Sequence, residues 1–209
     1  MHSKSRSLAI LDLGGVLIDW NPRYMYRKLF SGDDAAMEQF LATVCTQSWN
    51  EAQDAGRTFA EGCALLKKAH PEQSELIDAW FVRYEEMLGG AIAGSVAILA
   101  ELRANQIPLY ALSNWSVETF PWALRRFEFL RWFQGILLSG EAGLLKPDPQ
   151  LFQMLLRRYA IDPTHAVYVD DHASNVNSAR QLGMHGIHFT DPPALRNELT
   201  RLGLLPDPA

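Results

Sequence analysis

The chain has 209 residues, with 19 lysines and arginines against 24 aspartates and glutamates, and a formal net charge of −5. A composition of 48% hydrophobic and 21% charged residues is typical of a soluble globular protein, and it excludes disordered, collagen-like and disulfide-scaffold classes. The acidic balance also argues against nucleic-acid binding, which usually needs a basic patch or stripe.

The first predicted element is a buried strand, and a long helical stretch follows it. The apolar run at residues 8–11 ends in Asp12, and an uninterrupted apolar run is typical of a strand buried on both faces. Between residues 19 and 90 no run predicts a strand, and helices are predicted after Pro22 and over residues 33–44, 58–69 and 72–88. A crossover between parallel strands needs far fewer residues. We therefore predict an all-helical cap at residues 19–90, inserted over the carboxyl ends of the strands.

From about residue 91 onward, strands and helices alternate. Further apolar runs occupy residues 109–112, 136–138, 167–169 and, with a weaker pattern, 187–189. Helices are predicted between them over residues 95–105, 149–159 and 174–182. This order predicts an α/β fold in which residues 1–18 and 91–209 form a Rossmann-like parallel sheet with helices on both faces.

Polar residues close the apolar runs, and a parallel sheet would bring them together. They are Asp12 after the first run, Ser113 and Asn114 after the second, and Asp170 and Asp171 after the fourth. Because the carboxyl ends of parallel strands lie at one edge of a sheet, we expect these side chains to surround one crevice. The loop after the third run would carry Lys146 to the same place. Three carboxylates, a hydroxyl and an ammonium group suit metal-assisted phosphoryl transfer.

Each of these groups has a predicted role in that chemistry. Asp12 would attack phosphorus, as carboxylates do in enzymes that form an aspartyl-phosphate. Asp12 and either aspartate of the fourth run would hold Mg²⁺, which prefers oxygen ligands and relieves repulsion between two anions. Ser113 and the backbone N–H groups beginning at Asn114 would bind the phosphate oxygens. Lys146 would neutralise Asp12 and the transferring group.

Four segments of this chain resemble, in order, the four motifs of the haloacid dehalogenase-like hydrolases. They are LAILDLGGVL at residues 8–17, ALSN at 111–114, LKPD at 145–148 and VYVDD at 167–171. The resemblance covers residues 8 to about 190, and the insertion is similar to the C1 cap of the dehalogenase, epoxide-hydrolase phosphatase and glucose-1-phosphate phosphatase branches. It implies Mg²⁺ bound by Asp12, the Gly14 carbonyl and Asp171, with Asp170 beside them.

The resemblance fails at one position that matters for the reaction. Most phosphatases of the family have a second aspartate two residues after the nucleophile, as general acid and base, where this chain has Gly14. The loss of such a group typically costs about 10²- to 10⁴-fold in rate, so we expect a slow phosphatase unless another group substitutes. Asp19 is separated from the crevice by several residues, and His172 fits a surface position at the start of a helix. Asn175 is expected to steady Lys146 or the metal shell.

The sequence predicts a Mg²⁺-dependent phosphatase for a small phosphorylated metabolite such as a sugar phosphate, and two alternatives stay open. A 2-haloacid dehalogenase would use the same nucleophile against carbon without a metal. Against it, the Asp170-Asp171 pair would repel a haloacid unless Mg²⁺ is present, and the dehalogenase branch differs in the fourth motif. A phosphometabolite-binding protein with little turnover would account for Gly14.

The remaining expectations concern the compartment and the partners. Cys45 and Cys63 form no CxxC motif, which favours a reduced, cytoplasmic protein. No apolar run approaches the roughly 20 residues that cross a bilayer, and Asp12 follows the basic start too soon for a signal peptide. We expect a monomer or a homodimer with no nucleic-acid and no membrane partner.

Overall fold

The computed structural model describes residues 6–207, so residues 1–5 and 208–209 of the predicted core, and most of the basic start, lie outside the described residues. The described strands are β1 (Leu8–Leu11), β2 (Ile18–Trp20), β3 (Leu88–Ala91), β4 (Leu109–Ser113), β5 (Gly135–Leu138), β6 (Ala166–Asp170) and β7 (His185–His188). The described α-helices are α1 (Arg23–Leu29), α2 (Asp34–Thr43), α3 (Gln47–Asp54), α4 (Phe59–Ala69), α5 (Ser74–Val82), α6 (Ala93–Ala104), α7 (Phe120–Arg126), α8 (Ser139–Ala142), α9 (Pro149–Arg158), α10 (Ala173–Gln181) and α11 (Pro192–Arg201). Over residues 6–207, no helix has the length and apolarity that a bilayer crossing requires.

A five-stranded sheet in the order β5-β4-β1-β6-β7 forms the centre of the molecule, and all of its strand pairs are parallel. Each of the five apolar runs contributes one of these strands. Successive residues of β1 pack into two different hydrophobic clusters, Ala9 and Leu11 into one and Ile10 into the other. Because side chains alternate across a strand, both faces of the sheet are covered, as the uninterrupted runs predicted.

A short antiparallel ribbon, absent from the sequence prediction, joins the two ends of the inserted stretch. Strands β2 and β3 pair with Asp19 opposite Gly90, so the expectation of no strand between residues 19 and 90 is wrong at both ends. Two glycines lie in β3, and glycine is depleted in strands, which hides the strand in the sequence. Gly89 is required there, because a Cβ would lie 2.6 Å from the Tyr24 ring.

The inserted helices pack around a core of aromatic rings. Ring centroids are 5.0 Å apart for Tyr26 and Phe40, 5.9 Å for Tyr26 and Trp80, and 5.3 Å for Trp49 and Trp80. Helices α1, α2 and α4 lie where helices were predicted. The helix predicted over residues 72–88 is divided into α5, which ends at Val82, and a 3-10 helix at Tyr84–Met87. Such aromatic packing holds several short helices together without a strand between them.

Helix α3 was not predicted, although it begins with a clear cap. The Thr46 side chain accepts a hydrogen bond from the Trp49 backbone N–H at 3.1 Å, as Ser and Thr do at helix N-termini. Most residues of α3 are polar, and two of its buried residues, Asn50 and Gln53, are amides. Because α3 has only 8 residues and most of them are polar, its sequence resembles a loop. Its last residue, Asp54, lies at the carboxyl edge of the sheet.

Candidate active site

The carboxyl edge of the sheet brings the sequence-predicted carboxylates together. Asp12 follows β1, Asp170 ends β6, and Asp171 comes next; one oxygen of each lies within 4.8 Å of the others. Ser113, the last residue of β4, donates its hydroxyl to Asp12 Oδ1 at 2.9 Å. The Leu13 backbone N–H donates to the same oxygen at 2.7 Å.

Lys146 is buried between two of these carboxylates. Its ammonium nitrogen lies 2.8 Å from Asp12 Oδ2 and 2.8 Å from Asp170 Oδ2, and the residue is only 5% exposed. The Asn114 side chain holds the Lys146 backbone from both sides: its Oδ1 accepts from the Lys146 N–H at 2.8 Å, and its Nδ2 donates to the Lys146 carbonyl at 3.2 Å. The side chain of Asn114 therefore positions the lysine.

Asp170 has hydrogen bonds to both of its oxygens. Oδ1 accepts from the His172 backbone N–H at 2.8 Å and from Asn175 Nδ2 at 2.9 Å, and Oδ2 accepts from the Tyr168 hydroxyl as well as Lys146. Burial alone would raise the pKa of Asp170, but Lys146 and these hydrogen bonds lower it overall. Asn175 thus contacts Asp170 directly, and Lys146 only through it.

The electrostatics of Asp12 and Lys146 follow from their burial together. Burial raises the pKa of Asp12, and the Lys146 ammonium opposes that rise. For Lys146, burial would lower the pKa, but the two carboxylates beside it raise it overall, so the ammonium stays charged. Three acidic side chains surround one ammonium group, which leaves an excess of negative charge at this edge.

Asp171 has the geometry of a cation ligand. Its Oδ1 is buried and has no hydrogen-bond partner among the described residues, although buried polar atoms are nearly always paired. Burial raises the pKa of Asp171, and the charge of Asp170 adds to that rise. Gly15 stands against this carboxylate with a φ of 73°, and a Cβ there would lie 2.7 Å from Asp171 Cγ. The orphaned oxygen and the acidic cluster together fit a hard divalent cation.

A cavity of about 560 Å³ opens onto this edge. The sheet side of its wall is formed by residues that the sequence predicted: Asp12, Gly14, Ser113, Asn114, Lys146, Asp171 and Asn175. The opposite side comes from the inserted stretch and includes Trp20, Asn50, Asp54 and Tyr84. Asp54 was missed by the sequence analysis because it belongs to no motif and lies on a short, mostly polar helix that was not predicted.

The two substitutes considered for the absent aspartate have different positions. His172 lines the cavity, but its side chain is 71% exposed. Asp19 is not among the lining residues; its Oδ2 accepts a hydrogen bond from the Tyr24 hydroxyl at 2.6 Å. At Gly14 itself a Cβ would meet no atom within 4 Å, so this position is open space.

Comparisons with known proteins agree with the fold. The family profile of the haloacid dehalogenase-like hydrolases matches residues 7–183. A sesquiterpene phosphatase of Aspergillus oryzae is 28% identical over 198 residues, which cover 93% of this chain and 95% of the relative. A family enzyme from Bacteroides thetaiotaomicron, crystallised with magnesium and inorganic phosphate, has a TM-score of 0.68 at 24% identity and covers 88% of this chain and 94% of its own.

A dehalogenase shares the same architecture. The L-2-haloacid dehalogenase of Xanthobacter autotrophicus has a TM-score of 0.64 at 16% identity, covering 96% of this chain and 84% of its own. Since both a dehalogenase and an enzyme crystallised with magnesium and phosphate share this fold, the chemistry has to be argued from the site residues.

Proposed function

Because the chain belongs to the haloacid dehalogenase-like hydrolases, we propose that it is a Mg²⁺-dependent phosphatase that cleaves a small phosphorylated metabolite through an aspartyl-phosphate on Asp12. The observation that carries the proposal is the cluster of Asp12, Asp170 and Asp171, in which one buried oxygen of Asp171 has no partner among residues 6–207. A dehalogenase acting on an anionic haloacid has no use for this surplus of negative charge.

Asp12 is the nucleophile in this proposal. Its Oδ1 is fixed by the Ser113 hydroxyl and the Leu13 N–H, and Lys146 lies 2.8 Å from its Oδ2. These contacts keep the carboxylate ionised and oriented in spite of its burial. Lys146 also offsets the charge of the transferring phosphoryl group, and Ser113 with the backbone after it would bind the phosphate oxygens.

A divalent cation completes the charge balance. Asp12, the Gly14 carbonyl and Asp171 would hold Mg²⁺, with Asp170 beside them. The bound ion would offset the repulsion between the anionic nucleophile and an anionic phosphate. Asp170, whose oxygens already accept from Lys146, Tyr168 and Asn175, acts mainly by positioning the lysine.

Residues 19–90 act in this proposal as the cap of a core formed by residues 1–18 and 91–209. The cap side of the cavity carries Trp20, Asn50 and Tyr84 together with the carboxyl groups of Glu51 and Asp54. We assign phosphate binding to the sheet edge and recognition of the ester group to the cap, because ligands of open α/β sheets bind at the carboxyl ends of the strands.

A panel of substrates tests the proposal. Sugar phosphates, prenyl phosphates (suggested by the Aspergillus relative) and 2-haloacids are each incubated with Mg²⁺ or with EDTA, and released phosphate and halide are measured. We expect phosphate release only with Mg²⁺, and none above background from Asp12→Asn. Asp78→Asn is the matched control, because Asp78 pairs with Lys67 at 2.7 Å, outside the cavity.

Three results would overturn this function. Phosphate release by Asp12→Asn equal to that of the unaltered protein would exclude Asp12 as the nucleophile. Halide release in EDTA would indicate a dehalogenase. Tight binding of phosphate esters without any release would indicate a binding protein.

A further inference from the structure

The reaction needs a proton donor that the sheet edge does not supply. Gly14 has no side chain, and Asp12 and Asp170 are both bound to Lys146. In an in-line displacement the leaving group departs on the side away from the nucleophile. With Asp12 at the sheet edge, we assign the leaving group to the part of the cavity that the inserted stretch lines, where Asp54 is a carboxyl group.

Asp54 is held firmly against the loop that follows Ser113. Its Oδ2 accepts from Asn50 Nδ2 at 2.8 Å, and the Ser116 backbone N–H donates to the same carboxyl group. The Asp54 carbonyl accepts from the Ser139 hydroxyl, whose oxygen in turn accepts from the Trp115 N–H at 2.9 Å. Helix α3 therefore ends docked on the same loop that would bind the phosphate.

The surroundings of Asp54 favour its protonated form near neutral pH. Burial raises the pKa of Asp54 to about 7, and the Glu51 charge adds to the rise, whereas the Ser116 and Asn50 hydrogen bonds oppose it. Glu51 also lines the cavity, and the other titratable groups on its wall are Tyr84, Asp12, Lys146, Asp171 and His172. Asp12 is ion-paired with Lys146, whereas Asp54 has no cation in its hydrogen bonds, so at Asp54 no ion pair opposes the effect of burial.

We propose that Asp54 is the general acid and base of this enzyme, supplying from the inserted stretch the proton transfer that Gly14 cannot; this inference rests on the proposed phosphatase function. In the first step a bond forms between Asp12 and phosphorus while the bond from phosphorus to the ester oxygen breaks, and the Asp54 proton passes to that oxygen. In the second step water attacks phosphorus and gives one proton to Asp54. The bond between Asp12 and phosphorus breaks, which releases phosphate and restores both residues.

The need for proton donation depends on the leaving group, so two esters with different leaving groups test the role of Asp54. In single-turnover measurements with Mg²⁺, Asp54→Asn should slow alcohol release from an alkyl phosphate by about 10²-fold or more. It should slow p-nitrophenol release from p-nitrophenyl phosphate by less than about fivefold, because p-nitrophenolate is stable without a proton. A structural or substrate-binding role would slow both esters to the same degree, and that result overturns the inference.

Two further variants sharpen the result. Asp34→Asn removes an exposed carboxylate that pairs with Arg27 at 2.9 Å, outside the cavity, and should change both rates by less than about threefold. Gly14→Asp has open space for its side chain. Added to Asp54→Asn, it should raise the alkyl phosphate rate at least about tenfold above that of Asp54→Asn alone. If the double variant still cleaves p-nitrophenyl phosphate with Mg²⁺ but shows no such rise with the alkyl phosphate, then proton transfer is not the function lost in Asp54→Asn.

The unaltered protein provides a measurement that depends on no variant. Its single-turnover rate with an alkyl phosphate should fall as the pH rises through about 7, while the rate with p-nitrophenyl phosphate should fall much less. Parallel profiles would overturn the role of Asp54. If the unaltered protein releases phosphate from no ester at all, the proposed function fails instead, so the two failures are distinguishable.

Discussion

Gly15 and Asp171 are in such close contact that any side chain at position 15 would have to displace the carboxylate: a Cβ would lie 2.7 Å from Asp171 Cγ. The backbone adds a second requirement, since the φ of Gly15 is 73°, a region that costs other residues roughly 1–2 kcal/mol. The first motif and the fourth motif are thus fitted to each other at the point where the cation would bind.

The first prediction is that Gly15→Ala displaces the Asp171 carboxylate and weakens Mg²⁺ binding by about tenfold or more, as changes beside metal ligands commonly do. Isothermal titration measures the affinity. Gly32→Ala is the matched control, because Gly32 has a φ of 86° but a Cβ there meets no atom within 4 Å. Both variants should lose similar stability from backbone strain; equal Mg²⁺ affinity in the two would contradict the prediction.

The second prediction concerns the stability that Lys146 provides. Lys146→Met leaves Asp12 and Asp170 buried without their cation, and should lower the free energy of unfolding by about 3–5 kcal/mol at neutral pH. The pKa values of both aspartates then rise in the folded variant, so its stability is regained as the pH falls and the carboxyl groups take up protons.

Urea denaturation at neutral and at mildly acidic pH checks this prediction. The control is Lys28→Met, which removes an exposed lysine 2.8 Å from Glu86 and should cost less than about 1 kcal/mol at either pH. A Lys146→Met variant whose loss of stability does not shrink with falling pH would argue against the buried ion pairs as its cause.

The third prediction uses the raised pKa of Asp54. Because the folded-state pKa of about 7 lies above the ordinary aspartate value of 3.8, the protonated carboxyl group stabilises the fold at low pH, and this contribution is lost as the pH rises from there to about 7. The melting temperature of Asp54→Asn relative to the unaltered protein should therefore increase between about pH 5 and pH 8. A difference that stays constant over this range would mean that Asp54 is not buried in its acid form.

The fourth prediction separates metal binding from catalysis. Mg²⁺ should raise the melting temperature of the unaltered protein, because a ligand that binds only the folded state stabilises it. Asp171→Asn should lose most of that rise, yet without Mg²⁺ it should be no less stable than the unaltered protein, since it removes a partly buried negative charge that lies beside Asp170. An undiminished response to Mg²⁺ would remove Asp171 from the set of ligands.

The sheet and its motif residues could be predicted because uninterrupted apolar runs mark buried parallel strands, and the polar residues after them have to meet at one edge. Asp12, Ser113 and Lys146 were found in this way. Helix α3 and strand β3 could not be found, because one buries amides and the other contains two glycines. Asp54 was missed for the same reason as its helix: α3 reaches the cavity through tertiary contacts, in which the Asp54 carbonyl accepts from the Ser139 hydroxyl and the Trp115 N–H donates to that hydroxyl.

The β2–β3 ribbon has a consequence for how such proteins diversify. The two chain segments that connect the sheet to the inserted helices lie side by side. Asp19 is opposite Gly90, and the Ile92 N–H donates to the Leu17 carbonyl at 2.9 Å. Recombination could exchange the helices beyond the β2–β3 ribbon without changing the strand pairing of the sheet that carries Asp12. An enzyme that has Gly14 and acquires a new insertion would then obtain both its proton donor and its substrate specificity from that insertion.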